Sequence, residues 1–271
     1  MDGLHEATAG AWGAMRAARP LVLCVTNRVT PQRVADLLLA AGASPVMADN
    51  PREVAQMAAI AGGVYLNTGL HETQPASLAA AAEAIAALAK PAVLDPVGAG
   101  ATAYRSGEIA TLLAGTRFAA IRGNASEIRA LAGVGPGARG VDAAEGSDAA
   151  REAALGLARE RGCVVAVSGE RDLVTDGERV VWVGGGHPWL ARITGMGCAL
   201  GAVVTACVAA SDPWRGTVAA HAAFALATER AMARAAGPGT LSVGLADALA
   251  ALEPGDFGGA DLTEESLADA G

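Results

Sequence analysis

The stretch LVLCVTNRVTPQRVADLLLAAGASPVMA, residues 21–48, places two short apolar segments on either side of a helical pattern. LVLCV (21–25) predicts a buried strand, and SPVMA (44–48) predicts a second one. Pro31 in a first helical turn predicts a helix between them that runs through Ala41. Strands that are joined by a helical crossover lie parallel in one sheet, so this segment predicts an α/β fold.

The alternation of short strands and helices continues along the chain. Further strands are predicted at 62–67, 92–95, 118–122 and 163–168, an Ala-rich helix at 74–90, and a hairpin at 171–183 with its turn at Asp176-Gly177. From residue 197 to about 252 the pattern is helical. We expect a mostly parallel central sheet that is covered by helices on both faces, with an antiparallel addition at the hairpin.

The pattern places one domain at residues 1–253. The segment 254–271 is acidic and has no basic residue, so it is predicted to be a disordered tail. The Gly-rich segment 133–147 is predicted to be a surface loop.

Composition excludes several classes of protein. The net charge is −8, and the chain has no run of basic residues, which argues against nucleic-acid binding. The four cysteines are too sparse for a disulfide scaffold and form no Cys-x-x-Cys pair. The acidic N-terminal segment has no continuous apolar region, so no secretory signal is expected. The uncharged run 193–211 is Ala-rich and predicts a buried helix rather than a membrane span. A cytoplasmic protein is therefore expected.

Two acidic residues follow predicted strands, at the edge of the sheet where open α/β proteins bind ligands. Asp95 ends a strand and begins the turn DPVGAG, so it could hold Mg²⁺ near phosphates or mark an Asp-Pro turn. Glu127 lies three residues after Asn124, which is the spacing of a capping box as well as a position suited to a metal–phosphate site. Both alternatives remain open for each residue.

The segment ITGMGC, residues 193–198, is predicted to form a turn at the start of a long apolar helix. The backbone amides of 195–198 at such a helix terminus could bind an anion. Lys90 is the only lysine and lies outside any Gly-x-x-x-x-Gly-Lys motif, so a P-loop is excluded. Cys198 is either a core thiol or a reactive one whose pKa is lowered by the helix terminus. Cys24, Cys163 and Cys207 lie in apolar runs and are expected to be inert.

Seven segments together resemble the hydroxyethylthiazole kinase family, which has the ribokinase-like fold. They occur in order between about residues 10 and 252, and Gly-x-Gly-Cys is the most discriminating, because other ribokinase-like kinases usually have aspartate at the position of Cys198. The segments are VTNRVT (25–30), SPVMADNPREV (44–54), LNTGL (66–70), LDPVGAGATAYR (94–105), IRGNASEI (121–128), AVSGERDLVTDG (166–177) and ITGMGCALGA (193–202).

The resemblance implies transfer of the γ-phosphoryl group of ATP to the hydroxyl of 4-methyl-5-(2-hydroxyethyl)thiazole, with Mg²⁺, in thiamine salvage. It implies a homotrimer with active sites at subunit interfaces. It also implies roles for nine residues: substrate binding by Asn27, Met47 and Gly195, ATP or phosphate binding by Arg122, Ser168 and Gly197, metal binding by Asp95 and Glu127, and catalysis by Cys198.

Two residues depart from the family pattern, which more often has threonine at Ser168 and at Met196. Serine keeps the hydroxyl, whereas methionine loses it.

Three other functions are compatible with the same fold. One is a kinase for another heterocyclic alcohol, such as a pyrimidine or a pyridoxal-like compound. The second is an ATP-dependent dehydratase of a hydrated nicotinamide cofactor, and the third is a thiazole- or nucleotide-binding protein without catalysis.

Overall fold

In the described part of this α/β protein, the sheet has nine strands in the order β2-β1-β3-β4-β5-β6-β7-β8-β9. The structure is a computed structural model, and it describes residues 3–69, 71–72, 74–134 and 147–267. The strands are β1 (Leu21–Val25), β2 (Ser44–Met47), β3 (Gly63–Asn67), β4 (Ala92–Asp95), β5 (Ala120–Asn124), β6 (Val164–Ser168), β7 (Asp172–Thr175), β8 (Val180–Val183) and β9 (Leu262–Glu265).

The first six strands are parallel, and the last three add antiparallel pairs. Because six parallel strands point the same way, their carboxyl ends lie at one edge of the sheet. The predicted parallel sheet and the predicted hairpin are both confirmed. β5 begins two residues later than predicted and extends to Asn124.

Ten α-helices are assigned in the described ranges, and two separate apolar clusters show that helices cover both faces of the sheet. Their bounds are α1 (Gly3–Ala18), α2 (Pro31–Ala41), α3 (Pro51–Ile60), α4 (Gln74–Leu88), α5 (Ala103–Gly115), α6 (Ala125–Leu131), α7 (Arg151–Arg161), α8 (Met196–Ala210), α9 (Pro213–Met232) and α10 (Pro238–Ala250). One cluster joins the sheet to α1, α2, α8, α9 and α10, and the other joins it to α3 through α7.

Alternate residues of each strand enter the two clusters, as the pleat of a strand requires. On β1, Val22 and Cys24 face the α8 side, while Leu23 and Val25 face the α4 side. α8 is almost wholly apolar and lies against β1, β3 and β4. The uncharged run 193–211 is therefore a core helix, and no helix in the described part of the chain is both long and apolar enough to cross a membrane.

The C-terminal segment differs from its prediction, because residues 254–267 are ordered. Phe257 is fully buried and packs against Trp12, with the ring centroids 5.9 Å apart. β9 pairs with β8, and Glu265 accepts hydrogen bonds from Trp182 Nε1 at 2.7 Å and Arg151 Nε at 2.9 Å. Arginines on other helices pair with this acidic segment, Arg151 with Glu265 and Arg230 with Asp256, and the composition of the segment itself does not indicate them. Residues 268–271, and 135–146 of the predicted Gly-rich loop, lie outside the described residues.

Lys90 lies at the opposite end of the sheet from the strand ends considered above, just before β4. Its ammonium group donates hydrogen bonds to the carbonyl oxygens of Ala59 at 3.0 Å and Ala61 at 2.6 Å. Hydrogen bonds from the one lysine of the sequence therefore link the end of α3 to the start of β4.

Candidate active site

Polar side chains from three neighbouring strands meet at the carboxyl end of the sheet. Asn67 at the end of β3 donates hydrogen bonds through Nδ2 to Asp95 Oδ2 at 2.9 Å and to Cys198 Sγ at 3.3 Å. Its Oδ1 accepts a hydrogen bond from Asn27 Nδ2 at 3.0 Å, and Asn27 Nδ2 lies 3.6 Å from Cys198 Sγ. One buried hydrogen-bond network therefore joins Asn27, Asp95 and Cys198, although Asn27 and Cys198 are 171 residues apart in the sequence.

Only one of the two carboxylate oxygens of Asp95 makes hydrogen bonds to the described residues. Its Oδ2 accepts hydrogen bonds from Tyr65 and Asn67, whereas Oδ1 is buried and has no hydrogen-bond partner among the described residues. Burial raises the pKa of Asp95 to about 6, although the Arg122 guanidinium and the Tyr65 hydroxyl act in the other direction. A carboxylate with one buried, unused oxygen is suited to bind a cation.

Glu127 forms the capping box that its spacing from Asn124 predicts, and its role at a metal–phosphate site stays a prediction. Its backbone amide donates to Asn124 Oδ1 and its Oε2 accepts from the Asn124 amide, so the capping box is formed. Its Oε1 also accepts a 2.9 Å hydrogen bond from the amide of Gly98, in the turn that follows Asp95. The charge of Glu127 contributes to the raised pKa of Asp95, so the two carboxylates lie within electrostatic reach. Each carboxylate keeps acceptor capacity for a metal.

Arg122, Ser168 and Gly197 form a second part of the site. Arg122 on β5 is 8% exposed and donates to Ser168 Oγ at 2.5 Å, while its Nε is buried and unpartnered in the described structure. The guanidinium lies against the backbone of α8, because a Cβ at Gly197 would be 2.6 Å from Arg122 Nη1. A positive group therefore lies directly beside the start of α8.

The N-terminus of α8 has no side-chain cap. Ala199 N donates to Gly195 O at 2.9 Å, and Met196 N reaches Ile193 O only at 3.5 Å. The amides of Gly197 and Cys198 precede the first regular helical bond, so they are free to bind an anion. Gly195 has φ +86°, and a Cβ there would lie 2.8 Å from Thr30, so glycine is required.

The structure places Met196 and Met47 in contrasting positions. The side chain of Met196 is 6% exposed and packs in the α8-side core, which explains how methionine replaces the threonine expected there. Met47 ends the edge strand β2, pairs with Cys24 and is 37% exposed. Met47 thus lies at the same edge of the sheet, but it joins neither apolar cluster.

The net shift of the Cys198 pKa is upward, opposite to the shift expected of a reactive thiol at a helix terminus. Burial first, and then the negative charge of Asp95, raises the pKa of the Cys198 thiol, and the favourable effects of Asn67 and Arg122 do not compensate. The group is therefore a protonated thiol at neutral pH. Cys24, Cys163 and Cys207 are buried, as expected of inert core cysteines.

One residue of the network, Tyr65, was not predicted. Tyr65 lies in an apolar strand, and its hydroxyl is turned to Asp95 at 2.7 Å. A Cβ at Gly201 would lie 2.7 Å from the Tyr65 ring, so α8 must have glycine where it crosses β3. The available signal was a tyrosine two residues before Asn67 on the same strand, but its pairing with Asp95 depends on strand order.

The candidate site offers a metal ion few protein ligands. In the described residues, no group of three or more His, Cys, Asp or Glu side chains is arranged to hold a metal ion. Mg²⁺ in phosphate-binding sites commonly uses one or two carboxylates together with waters and phosphate oxygens. The unused Oδ1 of Asp95 and the neighbouring Glu127 fit that requirement.

A separate groove of about 490 Å³ opens at the opposite end of β5 and β6, between residues 113–118 and 159–163. It contains none of the nine predicted site residues. The candidate site differs from this groove in its buried polar groups, and these groups rather than a cavity volume distinguish it.

Comparison with known proteins gives consistent matches over nearly the whole chain. The model of the family described as "Hydroxyethylthiazole kinase family" matches residues 13–255. A hydroxyethylthiazole kinase from Gemmatimonas aurantiaca is 46% identical over 254 residues, which cover 93% of this chain and 91% of that protein.

Two solved structures are also similar. The hydroxyethylthiazole kinase structure from Pyrococcus horikoshii has a TM-score of 0.88 and 36% identity, covering 96% of this chain and 99% of that one. A Staphylococcus aureus pyridoxal kinase in complex with AMP-PCP and pyridoxal has a TM-score of 0.55 at 16% identity, covering 76% and 87%. The latter likeness concerns the fold alone, which is ribokinase-like.

Proposed function

The chain belongs to the hydroxyethylthiazole kinase family, and from this premise we propose how its own residues carry out the reaction. The activity is phosphorylation of the alcohol of 4-methyl-5-(2-hydroxyethyl)thiazole, consistent with thiamine salvage. A kinase of this family uses ATP. The observation that carries the assignment of roles is the contact of Arg122 with both Ser168 and the start of α8, within electrostatic reach of Asp95.

The phosphates of ATP would lie between Arg122 and the N-terminus of α8. The guanidinium has a free, buried Nε, and the amides of Gly197 and Cys198 point out of the helix end. Phosphoryl transfer depends mainly on alignment and on neutralising charge, so fixed donors around the phosphates suffice without a lysine. Ser168 would hold Arg122 in place and contribute its hydroxyl to the nucleotide.

Asp95 and Glu127 would hold Mg²⁺. The ion, when bound, supplies positive charge that neutralises the phosphate oxygens. Asp95 would use Oδ1, since Tyr65 and Asn67 already bond to Oδ2. Glu127 would remain the cap of α6 while its carboxylate faces the same ion.

Asn27, Met47 and Gly195 would form the thiazole site. Gly195 lies against Thr30 at the start of α2, and Asn27 contacts Cys198, so these positions surround the thiol. Because the pKa of Cys198 is raised, we assign it to orienting the substrate hydroxyl by a hydrogen bond rather than to removing the proton as a thiolate. A loose transition state makes little demand on a base.

A homotrimer with active sites at subunit interfaces would complete this thiazole site. Met47 is 37% exposed on an edge strand and Val29, next to the site, is 76% exposed. Large apolar side chains beside a site favour a covering surface, and a second subunit would supply it. Light scattering should give three times the chain mass of 26.8 kDa. Cytoplasmic location stays a prediction, based on free thiols and the use of ATP.

The experiment that tests the function is ADP release in a coupled assay with separate acceptors. We expect rapid, Mg²⁺-dependent turnover with the thiazole alcohol and little with pyridoxal or hydroxymethylpyrimidine. Preference for either of those would instead indicate a kinase for another heterocyclic alcohol. ADP release only with hydrated nicotinamide cofactor would indicate the dehydratase, and binding without release would indicate a non-catalytic protein.

A further inference from the structure

A buried acid–imidazole pair lies outside the network described above. His221 in the middle of α9 has a fully buried side chain, and its Nδ1 lies 2.6 Å from Oδ2 of Asp172, the first residue of β7. The other ring nitrogen, Nε2, is buried without a hydrogen-bond partner in the described structure. The pair therefore joins the sheet to α9 through one short contact.

The second oxygen of Asp172 holds the turn that connects β6 to β7. Oδ1 accepts a 3.0 Å hydrogen bond from the backbone amide of Gly169, three residues earlier. Burial opposes ionisation of Asp172, but His221 and the Gly169 amide outweigh it and hold the pKa of this carboxyl below its usual value. The ionised carboxylate thus links His221 to the turn.

The same turn begins with Ser168, the hydrogen-bond partner of Arg122. Ser147 also holds this turn in place. A Cβ at Gly169 would lie 2.8 Å from Ser147 Oγ, and the Ser147 hydroxyl donates a hydrogen bond to the carbonyl oxygen of Arg171. The positive charge of Arg122 also contributes to the low pKa of Asp172. The chain of contacts therefore runs from α9 through Asp172 and the turn to Ser168 and Arg122.

We propose that Asp172 and His221 are positioning residues for ATP, which hold the β6–β7 turn so that Ser168 and Arg122 face the phosphates. The pair touches neither substrate. The inference rests on the proposed function, since it assumes that Arg122 and Ser168 bind the nucleotide. Its effect should be confined to ATP, because Asn27, Met47 and Gly195 lie on other elements.

The test uses equilibrium binding, so it has a readout besides turnover. The variants are Asp172→Ala, Asp172→Asn and, as a matched control, Thr217→Val, one helical turn before His221 on α9 and equally buried. The Kd values for ATP with Mg²⁺ and for the thiazole alcohol are measured by calorimetry, together with the melting temperature. In Asp172→Ala the Kd for ATP should rise about ten- to a hundredfold, as for a lost hydrogen bond to a charged group.

The Kd for the thiazole alcohol should stay within about twofold in every variant. Asp172→Asn should recover most of the ATP affinity, since an amide oxygen accepts the Gly169 bond. Thr217→Val should leave ATP binding unchanged whatever it does to melting. An unchanged Kd for ATP in folded Asp172→Ala, or an equal loss of ATP and thiazole affinity, would overturn the proposal.

A second variant covers the case in which Asp172→Ala does not fold. The double substitution Asp172→Asn with His221→Leu leaves no charge buried, so folding is expected, but it removes the link to α9. It should bind ATP more weakly than Asp172→Asn alone, and equal affinity would overturn the proposal. If the wild-type protein does not phosphorylate the thiazole alcohol, the proposed function fails instead, and the two failures remain distinct.

Discussion

The buried hydroxyl of Tyr65 donates a 2.7 Å hydrogen bond to Oδ2 of Asp95, while Oδ1 of the same carboxylate has no partner among the described residues. Tyr65 lies on β3 and Asp95 on β4, and both are almost fully buried. A rigid aromatic side chain thus fixes the direction of a carboxylate at the strand edge. One oxygen makes hydrogen bonds within the protein, and the other keeps its acceptor capacity.

Replacement of Tyr65 by phenylalanine should free this carboxylate. We expect the Mg²⁺ concentration for half-maximal kinase activity to rise several-fold and the free energy of unfolding to fall by about 1–3 kcal/mol, the effect of one hydrogen bond to a charged group. Tyr104→Phe is the matched control, since Tyr104 is the other tyrosine and is 60% exposed. Identical Mg²⁺ titrations for Tyr65→Phe and wild type would contradict the role.

Substitution Asp95→Asn should stabilise the metal-free protein while abolishing activity. The pKa of Asp95 is raised to about 6 from 3.8. Between these values the native state holds a proton that the unfolded chain has lost, so the stability from this proton is lost as the pH rises through about 6. The free energy of unfolding of Asp95→Asn should therefore exceed that of the wild type by about 3 kcal/mol at pH 8. At pH 5 this excess should be smaller by about 1 kcal/mol.

Urea unfolding in the presence of EDTA at these two pH values measures the difference. Asp148→Asn is a suitable control, because Asp148 is an exposed aspartate away from the site. A stabilisation by Asp95→Asn that is equal at both pH values, or a loss of stability at pH 8, would be incompatible with the raised pKa.

Gly197→Ala should keep the fold and weaken ATP binding. The new Cβ would meet Arg122 Nη1 at 2.6 Å, and the guanidinium can move away at little cost because it ends a flexible side chain. Movement breaks the bond to Ser168, so we expect KM for ATP to rise by about tenfold or more. Gly156→Ala in α7 is the control, since its Cβ meets nothing within 4 Å and helix propensity predicts about 0.5–1 kcal/mol of added stability. A normal KM in Gly197→Ala would argue against an Arg122 that is fixed beside α8.

Cys198→Ala should reduce kcat only moderately, by about five- to thirtyfold, because an orienting hydrogen bond is lost rather than a base. Cys198→Ser should restore part of the activity. The raised pKa also predicts slow alkylation of this thiol at pH 7, with a rate that still increases above pH 9. Mass spectrometry after iodoacetamide treatment would measure the rate at Cys198. Rapid modification at pH 6 would instead favour the thiolate.

The sequence was sufficient to predict that several polar residues lie together at one edge of the sheet. Asn27 follows an apolar strand, Asp95 and Ser168 each end one, and parallel pairing brings these positions to one edge. Arg122 lies two residues before the end of β5. Hydrophobic patterns specify strands well, since burial on both faces of a parallel sheet leaves a continuous apolar run. The roles of the individual residues remain predictions.

The remaining features depend on contacts between distant segments. The local sequence left open whether Cys198 is a core thiol or a reactive one, because burial and the charge of Asp95, which raise its pKa, come from tertiary contacts. The pairing of Asp172 with His221 spans 49 residues and leaves no local spacing pattern. β9 is formed by an acidic segment whose partner cation, Arg151, is 114 residues away.

Lys90 gives the protein a single side-chain amine, held at the end of the sheet away from Asp95 and Cys198. An amine-reactive dye or surface linker would therefore attach at one defined side chain, with the N-terminal amino group as the competing position. Molecules attached through Lys90 would present the candidate ATP- and thiazole-binding edge in one orientation. Single-molecule or surface-based binding measurements are thus possible without introducing a new attachment residue.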